Sequence, residues 1–312
     1  MPARYCCWVS KKISPGDVNA ITIIRIYLNT ALYLCSDGKA SDIIHQQTFL
    51  IIFIYGLQRF RLCFKNPLDT LIRVKQPIME KKLQNNIGYL FIGIWLCALI
   101  GFHKTYTINF PEFTGFHWQQ HFHGTMLMSW FLMLIIQPFL IRYNKPDVHR
   151  KLGKLGYVLA PLVCYSIFLV TKMIYYRETV TRPEESVLAQ LSLDIPTIFI
   201  FGLFFTLAMI NRKTPAAHMR YMIATSLLMI GPGLGRALII WGGIPFPVSV
   251  SIVYYISEII AVLFLLNDIS KGNNFKPFLT ITIILVVNHI CWAFQNAAWW
   301  QSIAKWFVTH AF

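Results

Sequence analysis

Nine histidines are spread along the chain, and the residues around them point to chemistry before any fold is drawn. His103, His117, His121, His123 and His289 border or enter apolar runs on what reads as one side of a membrane. His149 and His218 open two other runs on the opposite side. An imidazole binds a metal through one ring nitrogen and is oriented through the other. Two imidazoles on facing helices can hold haem iron axially, and an apolar helical bundle gives a porphyrin a dry slot. The layout therefore suggests b-type haem near each surface. His123 with His289 or His103 would serve the outer site, and His149 with His218 the inner one.

Helical phase refines this expectation. At 100° per residue His123, Leu127, Trp130, Leu134 and Gln137 share one face, so a histidine, a tryptophan and a glutamine look into the bundle together. His121 points roughly the other way and reads as interfacial, as do His117 and His310. His218, Thr225 and Arg236 also share a face, and Arg236 is suited to a haem propionate or an anionic substrate. Glu258 lies near the middle of an apolar run. Ionised at that depth it costs several kcal/mol unless paired, so it is either protonated or matched with Arg236 or a histidine. It marks a proton or ion route, or bridges two helices as a neutral carboxyl. Gly231-Pro232-Gly233 with Gly235 implies a kink, a backbone facing a ligand, or a packing notch.

Other chemistries find less support. His117, His121 and His123 with Met126 and Met128 nearby could hold copper or zinc, but no carboxylate sits at fitting spacing. Seven cysteines without a C-x-x-C pair give neither a zinc site nor a disulfide framework, and Cys97, Cys164 and Cys291 read as packed thiols. A phosphate-binding G-x-x-x-x-G-K-[ST] loop and a G-x-S-x-G nucleophile elbow are both absent from the sequence.

The elements that must position these residues are helices. Hydrophobic residues make up 56% of the 312 and charged ones 13%, with a mean hydropathy of +0.53. This is too apolar for a soluble surface, since soluble domains carry roughly 25% charge. The pattern predicts an all-α, polytopic transmembrane bundle of about seven spans, over 87–103, 122–143, 154–176, 193–211, 218–241, 248–266 and 278–297. The net charge of +15 fits basic residues gathered in cytoplasmic loops rather than a nucleic-acid surface. Under strict alternation Arg142, Arg150, Lys151, Lys154, Arg212, Lys213, Arg220 and Lys271 share a side. This predicts the Met79 end in the cytoplasm, Phe312 outside, and an inner (plasma) membrane location. Residues 1–78 differ in character and are expected to be a disordered leader or a mis-assigned start before Met79; the domain proper is 79–312.

Two stretches resemble known families. His123-Gly124-Thr125-Met126-Leu127-Met128-Ser129-Trp130 is similar to the helix of haem-copper oxidase subunit I that opens with a haem-ligating histidine; the paired copper histidines of that family have no counterpart, and seven spans are too few for its twelve. His149-Arg150-Lys151-Leu152-Gly153, with His218-Met219-Arg220-Tyr221-Met222 and Arg236, resembles uncharacterised bacterial multi-pass membrane proteins likened to membrane cytochromes b. That resemblance implies a helical bundle, haem and electron transfer or redox sensing, with a redox partner or a quinone. The rival expectation is a non-enzymatic solute transporter or assembly factor whose cavity is lined by Gln137, Arg236, Glu258 and His289.

Overall fold

The computed structural model describes residues 78–312, and the leader expected before Met79 falls outside that range. The described chain runs through α1 (Ile78–His103), α2 (Trp118–Arg142), α3 (Pro146–Gly153), α4 (Gly156–Glu178), α5 (Glu184–Gln190), α6 (Ile195–Ile210), α7 (Pro215–Gly242), α8 (Phe246–Ser270), α9 (Lys276–Ala293) and α10 (Ala298–Ala311). Seven segments are long and apolar enough to cross a bilayer: α1 from Asn86, α2, α4, α5 joined to α6, α7, α8 and α9. The chain is an integral, multi-pass membrane protein with an all-α bundle fold, as its hydropathy implied.

Helix ends follow local chemistry. Proline stands in the first turn of α3, α6, α7, α8 and α9, where its missing N–H costs nothing. Gly243 closes α7 in the left-handed conformation, φ 64°. The last span stops at Ala293 and not at 297, because Phe294–Ala297 turns the chain into the separate helix α10. Residues 146–153 form a helix of their own, α3, ahead of the third span.

α7 is the hub. It packs against α1, α6, α8 and α9, while α2 joins α1 to α4 and α4 leans on α6. Small residues make this possible. A Cβ at Gly233 would lie 2.6 Å from the Ala98 Cα, and one at Gly101 would lie 2.0 Å from the Gly233 carbonyl oxygen. The backbones of α1 and α7 therefore touch, and Pro232 sits within an unbroken α7. The glycine-proline motif is a packing notch. Arg220 on α7 and Asp268 on α8 form an ion pair near the ends of their helices, both side chains 1% exposed.

Candidate functional site

The fold sorts the polar side chains into two groups, one at the end of the bundle carrying Arg142, Arg150 and Arg212 (the basic end) and one toward the opposite, far end.

At the basic end α3 brings His149 back beneath α2. Gln137, at the end of the inward face of α2, clamps the short helix. With its amide oriented to satisfy its neighbours, its oxygen accepts from the Gly153 N–H at 3.0 Å, and its nitrogen donates to the His149 carbonyl at 3.3 Å and meets His149 Nδ1 at 2.5 Å. Opposite, the ring of His218 at the start of α7 is fixed by a 2.9 Å hydrogen bond between Nδ1 and the Ala208 carbonyl of α6. A carbonyl only accepts, so Nδ1 carries the proton and Nε2 keeps its lone pair. The two imidazoles lie within electrostatic reach of each other. Burial holds His149 below its ordinary value near 6.5; a hydrogen bond with the Gln137 backbone opposes this, and the charges of His218 and Arg150 add to it.

Toward the far end His123 on α2 is set in the same way. Its Nδ1 lies 3.0 Å from the Ser166 hydroxyl on α4, and that hydroxyl gives its own proton to the Val163 carbonyl at 2.7 Å. Nδ1 is thus the donor, and Nε2 is again left as the basic nitrogen. Arg236 on α7 acts electrostatically on His123 and on Asp194, the residue that precedes α6. Arg236 is exposed. Its guanidinium donates to the Pro232 carbonyl at 3.1 Å and stands 4.4 Å from the centre of the Phe102 ring.

Glu258 has found a histidine partner. Its Oε1 is 2.9 Å from His289 Nδ1, with the two side chains 9% and 11% exposed. The imidazole stacks on Tyr254 at 4.8 Å with the rings 5° from parallel, and it meets Tyr255 edge-on at 4.9 Å. The neighbouring Asn288 is 3% exposed, and its Oδ1 is buried without a hydrogen-bond partner.

The bundle therefore brings Glu258 to His289, while His149 and His218, and Arg236 and His123, act on each other electrostatically. His289 and His123 are held by different partners, and His103 is exposed at the end of α1. The three histidines weighed as a copper or zinc cage diverge. His117 is exposed, His121 Nδ1 is 2.6 Å from the Tyr106 hydroxyl, and His123 turns to Ser166. Among the described residues no three His, Cys, Asp or Glu side chains converge on one point. Sequence reasoning missed Ser166, Asp194 as a neighbour of Arg236, and the Arg220–Asp268 pair. The only signal for the last was an acid and a base at the same end of successive spans.

Compared with family models, curated proteins and solved structures, the chain matches none of them.

Proposed function

We propose that this protein is a membrane electron carrier whose basic end would hold a b-type haem through His218 and His149. The observation that carries the reading is the setting of His218. A ring whose Nδ1–H is spent on the Ala208 carbonyl presents Nε2 to a metal, the arrangement by which ligand histidines are oriented. His149, on a different element and 69 positions earlier in the chain, feels its charge. To hold haem iron through Nε2, His149 would carry its proton on Nδ1, and the Gln137 amide beside it would have to reorient.

The haem would supply one-electron chemistry. The residues around it supply binding, orientation and exclusion of water, for which the wall of Trp130, Phe201 and Phe205 between α2 and α6 is suited. A second centre at the far end would use His123, fixed by Ser166, with Arg236 for a propionate. His289 stands outside this reading, because the two tyrosines enclose its ring. A lipid-soluble quinol or a protein redox partner would deliver the electrons. In this reading the basic end faces the cytoplasm of a bacterial-type inner membrane, which the positive-inside distribution of charge supports.

The test is a reduced-minus-oxidised visible spectrum of protein purified in mild detergent after expression with ample haem. Sharp bands at stoichiometric haem, lost in His218→Ala, are expected. A folded preparation that stays colourless after reconstitution with haem overturns the reading and favours the polar-cavity transporter.

A further inference from the structure

The Glu258–His289 pair lies outside the haem reading, and its surroundings suit a different task. A carboxyl and an imidazole in contact at membrane depth can share one extra proton. They pass between a state of net charge −1 (carboxylate with neutral ring) and a neutral one. The neutral one is either carboxylic acid with imidazole or carboxylate with imidazolium, and a poorly solvated interior favours the form without separated charges. A purely structural bridge would use up its polar atoms. Here only Glu258 Oε1 and His289 Nδ1 are engaged. Glu258 Oε2 and His289 Nε2 have no partner among the described residues, and neither is sealed in without one. The buried Oδ1 of Asn288 beside them is an acceptor awaiting a donor.

A route leads outward from the pair. Tyr254 lies flat against His289 and feels the charges of Glu258, Cys291 and Asp194. Asp194 in turn attracts Arg236. A cavity of about 430 Å³ at the far end is lined by Arg182, Glu185, Gln190, Phe246, Trp292 and Asn296 among others. Of the cavity-lining residues, Gln190 is four positions before Asp194 and Trp292 three positions after His289 in the chain. Tyr254 and Tyr255 from α8 face the pair; Cys291 from α9 and Asp194 ahead of α6 act on Tyr254, and Arg236 from α7 acts on Asp194. Arg220 is committed to Asp268 in its own ion pair.

We propose that Glu258 and His289 form a proton-exchange site that takes up one proton from the far face of the membrane by way of Asp194 and Tyr254. Uptake converts the Glu258 carboxylate to the carboxylic acid while His289 stays neutral, and release returns the same proton by the same path. The site stands on its own geometry and does not depend on haem.

Infrared difference spectroscopy of the full chain in phospholipid vesicles tests it, with pH as the variable and heavy water as the exchange probe. A protonated-carboxyl band that grows as the pH is lowered, disappears in Glu258→Gln and shifts in His289→Gln is expected. In heavy water the band should exchange promptly in the native chain and at least tenfold more slowly in Tyr254→Phe and Asp194→Asn, each checked for native folding by thermal melting. The absence of a titrating carboxyl band in the native chain, or its survival in Glu258→Gln, overturns the site. Unchanged exchange in both route variants overturns the path. A colourless protein with a titrating band sinks the haem reading alone.

Discussion

Arg220 and Asp268 meet through two parallel hydrogen bonds, Nε to Oδ2 at 2.7 Å and Nη2 to Oδ1 at 2.8 Å. The fork-to-fork geometry joins the hub helix α7 to α8, and the guanidinium also stands 5.8 Å from the centre of the Phe278 ring. Such a pair costs a great deal to desolvate, so its main effect is felt when half of it is removed. Arg220→Met leaves a buried carboxylate alone and should destabilise the protein by about 3–5 kcal/mol. Arg220→Met combined with Asp268→Leu should recover most of that loss. Thermal unfolding in detergent of the single and double variants checks both outcomes.

The contact between α1 and α7 leads to a steric prediction. At Gly233 an added methyl group meets the backbone of Ala98, which cannot move aside as a side-chain tip could. Gly233→Ala should cost about 1–3 kcal/mol, the usual range for overpacking. Gly93→Ala on the same α1, with nothing within 4 Å of the new atom, should be neutral or slightly stabilising. Melting temperatures of the two variants side by side separate the packing effect from helix propensity.

His149 makes stability depend on pH with a definite sign. The unfolded chain takes up the His149 proton near 6.5, whereas the folded chain, with the ring buried, takes it up only at lower pH. Between those values the unfolded state holds more protons. The contribution of His149 is therefore complete above about pH 6.5 and declines as pH falls through the folded value. His149→Gln should flatten this part of the pH–melting curve, which calorimetry from neutral to mildly acidic pH reads directly.

Under the haem reading, Gln137 provides a handle on the basicity of His149 as a ligand. Gln137→Glu keeps an oxygen for the Gly153 N–H and places a carboxylate against His149 Nδ1. Outer-shell partners of this kind alter affinity by roughly 10–100-fold. The variant should bind haem more tightly and lower its midpoint potential, since a negative charge beside the ligand favours the oxidised iron. Haem titration and potentiometry of native and variant protein measure both.

How far the sequence could be read follows from the range of each interaction. Spanning helices are dictated by twenty or so consecutive residues, and hydropathy located all seven. The inward face of α2 was legible too, because phase is a local property: Trp130 and Leu134 are 0% and 2% exposed. Arg220 was taken as one more basic loop-side residue. Its burial depends on Asp268, 48 residues away, and on which helix lands beside α7. The partner of Glu258 was narrowed to a histidine or Arg236, but choosing His289 required knowing that α8 and α9 pack together. Short helices such as α3 and α10 also escaped, since eight or fourteen residues carry too little periodicity to stand apart from a turn or an interface.

The touching backbones of α1 and α7 also constrain how the molecule is made. Gly101 emerges from the ribosome about 130 residues ahead of Gly233, an interval on the order of ten seconds at ordinary rates of synthesis. Throughout it the glycine face of the first span has no native partner and rests against lipid or insertion machinery. Three further spans must thread before that face can be covered. The first of the described spans is thus locked only once the fifth arrives, and quality control during biogenesis has a defined surface to inspect.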